Sequence, residues 1–160
     1  MQVAPQEVRT FFVTVVTWGR RSIFHVHALA ELFLDTLQRY REQKRFLLHE
    51  FVLMPDHFHL LITPMPEVSL EKAVQYIKGG FSFRVKRENG YTGEVWQRGF
   101  SDHRVHDADS FANHRVYIAE NPVKAGLAAS PDEFPWCFRS LARQKAQSQT
   151  PSRSEKVLRG

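Results

Sequence analysis

The residues of this chain best suited to chemistry are two histidines separated by one residue, His57 and His59, and a tyrosine far downstream, Tyr117. The segment His57 to Thr63 (HFHLLIT) reads as a β-strand. Side chains alternate along a strand, so the two imidazoles share a face while Phe58 points the other way into a core. Two neutral imidazoles about 7 Å apart at Cα can converge on one divalent ion, and such an ion can polarise a phosphate. Tyr117 lies in a helical stretch. At about 100° per residue, Ala108, Phe111, Ala112, Val116, Ile118 and Ala119 fall on one arc of about 160°. Tyr117 is opposite the centre of that arc, beside Ser110, Asn113, His114 and Asn121. A tyrosine kept for packing belongs on the apolar arc, so this one is expected to face away from the helix's own core contact. Arg115 falls inside the arc, where nothing in the sequence explains it. Asn121 follows Tyr117 by one turn on the same face, and its carboxamide oxygen is a candidate third ligand. Each feature also has a plainer reading: a surface histidine pair, an exposed tyrosine, and an asparagine that caps a helix end.

The elements that must position these residues follow from composition and period. Phe11 to Trp18 (FFVTVVTW) is β-branched and aromatic, and reads as a buried strand. From Val26 to Lys44, apolar residues recur at Leu29, Phe33, Leu37 and Tyr40, the spacing of an amphipathic helix. Arg45 to Leu53 is a second strand, and Met54-Pro55-Asp56 is a turn that joins it to the histidine strand as a hairpin. Ser69 is placed to open a second helix with Leu70, Ala73, Val74 and Ile77 on one face. Gly79-Gly80 interrupts that helix, so either it bends there or a backbone approaches closely. Glu94 to Val105 holds a fourth strand. Asp107 caps the helix of Tyr117, which is expected to end near Asn121 because Pro122 disfavours helical geometry before it. The order β-α-β-β-α-β-α is an α+β pattern. Its first six elements match a ferredoxin-like antiparallel sheet with helices on one face, and the additional C-terminal helix carries the tyrosine.

A length of 160 residues suits one domain, and 42% hydrophobic with 24% charged residues is an ordinary globular composition. The single cysteine, Cys137, excludes an internal disulfide framework and a cysteine-rich zinc site, and fits a reducing cytoplasm. No apolar run approaches the roughly 20 residues of a membrane span, and the N-terminus does not read as a signal peptide. From residue 139 onward the chain has six basic residues (Arg139, Arg143, Lys145, Arg153, Lys156, Arg159) and one acid, Glu155, which accounts for the whole net charge of +5. Residues 1–140 are therefore read as the folded domain and 141–160 as a basic tail expected to be disordered. A basic tail on a neutral body suits a polyanion, usually nucleic acid, though it could serve solubility alone. Arg20, Arg21, Arg84, Lys86, Arg87, Arg98 and Arg104 are available for backbone phosphates, and Phe81, Phe83, Tyr91 and Phe100 lie among them as platforms for unpaired bases. His25, His27 and His49 read as structural, whereas His103, His106 and His114 could approach a phosphate.

Three segments together, MPDHFHLL (54–61), WQRGFSDHRV (96–105) and YIAENPVKAGL (117–127), resemble the signature blocks of the single-tyrosine HUH transposases, in the branch of REP-associated tyrosine transposases. The resemblance runs from about Phe11 to Ser140. It implies a ferredoxin-like fold, with His57 and His59 as metal-binding histidines, Tyr117 as nucleophile and Asn121 completing the metal site. It further implies Mg²⁺ or Mn²⁺ as the ion, single-stranded or hairpin-forming DNA as partner, and cleavage through a 5′-phosphotyrosine that is then rejoined. Two other readings remain open at this point: a protein that binds repeat DNA without cutting it, and a metal nuclease that uses water. The residues leave open a monomer or a homodimer, and an active site built in one chain or across two.

Overall fold

The structure, a computed structural model, describes residues 9–142. Four strands, β1 (Thr10–Val16), β2 (Phe46–Met54), β3 (His57–Pro64) and β4 (Ser101–Val105), form one antiparallel sheet in the order β2-β3-β1-β4. Two helices, α1 (His27–Glu42) and α2 (Leu70–Asn89), make the crossovers, and a third, α3 (Ala108–Lys124), follows the last strand. This is the ferredoxin-like arrangement expected from the element order, with β3 and β1 at the centre.

α1 and α2 cover one face. They bury Leu29, Phe33, Leu34 and Leu37 from the first helix and Ala73, Val74, Ile77 and Phe81 from the second. These meet Val13, Val15, Phe51, Phe58, Leu60 and Ile62 from alternate positions of the strands. Ser69 caps α2 by accepting from the Lys72 amide at 3.1 Å, and Gly90 closes it in the left-handed conformation at φ 67°. Gly79-Gly80 does not end the helix. A Cβ on Gly80 would lie 2.6 Å from the Tyr40 ring, so the glycine lets α1 and α2 approach.

α3 covers the other face, where Phe12, Val52, Met54 and Leu61 meet Ile118 and Phe134. Here the structure corrects the sequence reading twice. The helix does not stop at Asn121: it runs through Pro122 to Lys124, and Pro122 is buried. The face it turns inward is Phe111, His114, Ile118 and Pro122, whereas Val116 is 55% exposed and Ala108 and Ala112 are also exposed. The inward face includes a histidine because what it covers is partly polar, so apolar count alone selected the wrong arc. The core also takes in Leu141, fully buried one residue beyond the boundary drawn at 140. The basic tail lies outside the described residues from residue 143 onward. Among the described residues no helix is long and apolar enough to cross a membrane.

Candidate active site

β3 carries both histidines toward α3. Phe58 between them is fully buried in the opposite core, as alternation requires. The two imidazole rings sit 4.8 Å apart at their centroids, crossed at 75°. Each has its Nδ1 engaged. His57 Nδ1 donates to Asp56 Oδ1 at 2.6 Å, and His59 Nδ1 lies 2.8 Å from Thr14 Oγ1. Thr14 is the residue opposite His59 in the β1–β3 register. In the tautomer that directs Nδ1–H at its oxygen partner, an imidazole presents its Nε2 lone pair, as a metal ligand must. Burial, and then the neighbouring His57, lower the His59 pKa to about 3, so this ring is neutral at physiological pH. No further His, Cys, Asp or Glu among the described residues joins the pair as a ligand group, which leaves an amide or the substrate to supply more.

Asp56 is anchored from three sides. Its backbone carbonyl accepts from the Thr17 amide at 2.9 Å and from the Thr17 hydroxyl at 3.1 Å, while Oδ2 meets Arg20 at 3.3 Å. Burial raises its pKa, but the hydrogen bond and charge of His57, with Arg20 behind them, outweigh this and hold it below the usual value. Arg20 reaches it from a turn in which Gly19 and Arg20 both have positive φ, 61° and 52°. Trp18, at the same turn, is 44% exposed.

Phe12 forms the floor. His59 stacks on it at 5.2 Å, His114 tilts over it at 4.8 Å, and His103 lies parallel at 6.3 Å. Tyr117 meets it edge-on at 5.7 Å and stands 5.6 Å from the His59 ring. Tyr117 is 43% exposed, with Lys124 Nζ 5.7 Å from its ring centroid. α3 brings it there from the flank of the inward face, where the ring meets Phe12 of β1 and His59 of β3. The opposite flank carries Arg115 toward β2, where its charge acts on His49 and Glu50. Asn121 is half-buried one turn beyond Tyr117, and its side chain hydrogen-bonds no other described residue.

The seven basic residues expected to meet phosphates are scattered. Arg20 reaches Asp56 beside His57, whereas the Arg21 side chain donates to the Trp18 and Glu94 carbonyls at 3.3 and 3.1 Å. Lys86 and Arg98 share a groove between α2 and the loop before β4. Arg87 lies on the α1–α2 face, and Arg84 there is enclosed by Asp35 and Glu88 at 2.8 and 2.9 Å. Arg104 pairs with Phe11, on the sheet face away from the histidines. Sequence reading missed Phe12, Thr14 and Asp56. Asp56 had a signal, a carboxylate immediately before the histidine pair. Thr14 and Phe12 needed the register of β1 against β3.

Comparison with known proteins identifies the family. The family profile of IS200-like transposases matches residues 9–121. A REP-associated tyrosine transposase of Escherichia coli K12 is 25% identical over 137 residues, covering 84% of this chain and 79% of its own. A Haemophilus influenzae relative of the same type is 28% identical over 137 residues, covering 79% and 77%. The structure of a REP-associated tyrosine transposase bound to a REP hairpin superposes with a TM-score of 0.70 at 23% identity, covering 90% of this chain and 83% of the other. The matched segment spans β1, both site histidines and α3 as far as Asn121, and on that match the chain belongs to the IS200-like transposase family.

Proposed function

We propose that this protein is a single-stranded DNA endonuclease and strand transferase that acts at hairpin-forming repeats through a covalent tyrosine intermediate. The observation that carries this reading is the placement of the Tyr117 ring 5.6 Å from His59, beside two histidines whose Nδ1 atoms are already engaged. That donor set suits a divalent cation: both imidazoles are oriented by an oxygen partner, and His59 is held neutral by burial. His57 and His59 would hold Mg²⁺ or Mn²⁺, with the Asn121 carboxamide as third protein ligand. The chemistry such an ion supplies is polarisation of the scissile phosphate and neutralisation of its developing charge.

Tyr117 is the nucleophile in this reading. Its Oη forms a bond to phosphorus as the P–O3′ bond breaks, the phenol gives up its proton and the departing 3′-oxygen gains one. The strand is left with a 5′-phosphotyrosine and a free 3′-hydroxyl. Because the phosphodiester bond is exchanged rather than hydrolysed, another 3′-hydroxyl can attack the link and release Tyr117 without ATP. Arg20, paired with Asp56, offers a cation for a phosphate, and exposed Trp18 in the same turn offers an aromatic face for a base.

The metal part of this account is tested by chelation. EDTA should abolish cleavage, and Mn²⁺ or Mg²⁺ should restore it. His57→Ala and His59→Ala should each lose cleavage while keeping most of their DNA affinity. Full activity in excess chelator contradicts the assignment.

A further inference from the structure

On the face of the sheet away from the histidines, α1 and α2 enclose a groove of about 590 Å³. Its walls are aromatic. Tyr40 and Tyr76 stack at 5.5 Å with 22° between their planes, and Phe83 stands 62% exposed at the rim. Gly79 and Gly80 line it without side chains. The cations are unusual in what holds them. Arg45 and Lys72 lie over the Tyr76 ring at 4.8 and 5.7 Å, and Arg87 lies over Phe83 at 5.8 Å. Among the described residues no carboxylate pairs with any of the three, whereas Arg39 and Arg84 of the same groove share Asp35.

Cations parked on aromatic faces, with no carboxylate paired to them although Glu88 lines the same groove, suit a ligand that brings both anionic groups and flat rings. A protein partner would need carboxylates spaced to reach all three, and a duplex would offer phosphates but no ring face. An unpaired nucleotide offers both. We propose that the α1–α2 groove is a second nucleic-acid site, which takes an unpaired nucleotide with its base on Phe83 and its phosphates against Arg87 and Lys72.

The groove also connects to the candidate active site along the surface. Gln75 and Gly79 line it and equally line the neighbouring groove of Lys86 and Arg98. Glu94 borders that second groove, Arg21 holds the Glu94 carbonyl, and Arg20 next to it holds Asp56 beside His57. A strand anchored on Phe83 therefore has a basic path around α2 to the histidines. The groove anchors the strand at a distance and takes no part in bond breaking. The proposal rests on the reading of this protein as one that acts on DNA, and is independent of its catalytic step.

The test uses the full chain carrying Tyr117→Phe, so that nothing is cut, and a fluorescent oligothymidine. Phe83→Ala should weaken binding about tenfold, the loss of one base stack, and Arg87→Gln should lower the salt slope by about 0.7. Both side chains are exposed, so folding is not at stake. A bromodeoxyuridine oligonucleotide, irradiated on the complex, should cross-link to the peptide containing Phe83. Affinity for a fully paired duplex should be unchanged by Phe83→Ala. Unaltered affinity and salt slope in both variants, with cross-links confined to the peptides of Trp18 and Tyr117, overturns the proposal. An equal loss on duplex overturns the stacking assignment. If the parent protein binds no oligonucleotide at all, the DNA-acting reading itself fails, which is a different result.

Discussion

His57 and His59 each spend one ring nitrogen on an oxygen partner, and the partners differ in kind. Asp56 supplies a carboxylate and a negative charge, whereas Thr14 supplies a neutral hydroxyl. A carboxylate behind an imidazole fixes its tautomer and makes the free nitrogen a better donor, and its loss typically costs tenfold to a hundredfold in metal affinity. Asp56→Asn should therefore weaken Mn²⁺ binding by about that factor, measured by calorimetric titration, while secondary structure is retained. Affinity within twofold of the parent protein would mean that Asp56 serves the hairpin turn alone. The pairing of His57 with His59 was legible in sequence because strand alternation needs no knowledge of neighbours. Asp56 was visible but was read only as a turn residue. Thr14 was not legible, since its role depends on lying opposite His59 in a register fixed by the whole sheet.

At the scale of elements, α3 and the edge of β2 carry the tension between covering a core and presenting polar groups. The register of β2 against β3 slips between Leu48 and Glu50, and His49 and Glu50 both reach the α3 side of the sheet. His49 meets Thr63 at 2.7 Å and packs against Phe111, while Glu50 accepts from the Phe51 amide at 3.1 Å. Burial raises the Glu50 pKa, more than the Phe51 amide, Arg115 and Arg139 lower it. A carboxyl whose folded pKa is raised contributes stability below its unfolded value, and that contribution is lost as pH rises through the folded value. Glu50→Gln should thus raise the melting temperature at pH 7 and have little effect near pH 4. A variant less stable than the parent at pH 7 would show that Arg115 and Arg139 depend on the charge. Arg115, inexplicable from the helical wheel, is accounted for by this edge. The wheel placed Tyr117 opposite the apolar arc, but the helix turns His114 and Pro122 inward and shows Val116 to solvent. Residue type could not reveal that face, because the sheet beneath it is lined by histidine and threonine as well as by Phe12 and Leu61.

At the scale of the molecule, the two faces of one sheet are covered differently. One holds the histidines under α3, and the other is covered by α1 and α2, which form the aromatic groove between them. The order of the six ferredoxin-like elements could be read from hydrophobic period, since strands and helices differ in period and their turns are marked by Pro, Asp and Gly. The end of the folded body could not, because Leu141 is a lone apolar residue in a basic stretch, yet it is fully buried. This bears on the tail. Ending the chain at 140 removes Leu141 from the core and should lower stability by about 2–5 kcal/mol. Ending it after Ala142 keeps that contact and removes five basic residues and one acid, a net +4. That shorter protein should keep its melting temperature but bind single-stranded DNA more weakly and with a shallower salt dependence. Equal affinity and slope would make the tail a solubilising appendage.

The claim on which the functional account stands is that Tyr117 becomes covalently joined to DNA. Tyr117→Phe removes one oxygen from a ring that keeps its edge-on contact with Phe12, so stability should stay within about 0.5 kcal/mol of the parent. Tyr91, which lines neither site, serves as the control, and its Phe variant should still react. The measurement incubates protein, Mn²⁺ and a labelled single strand carrying its hairpin, then resolves the products on a denaturing gel. The parent should give a labelled protein band that is absent in Tyr117→Phe, together with loss of cleavage in the variant. Cleavage by Tyr117→Phe with ends free of protein would contradict the claim, and would make water the nucleophile.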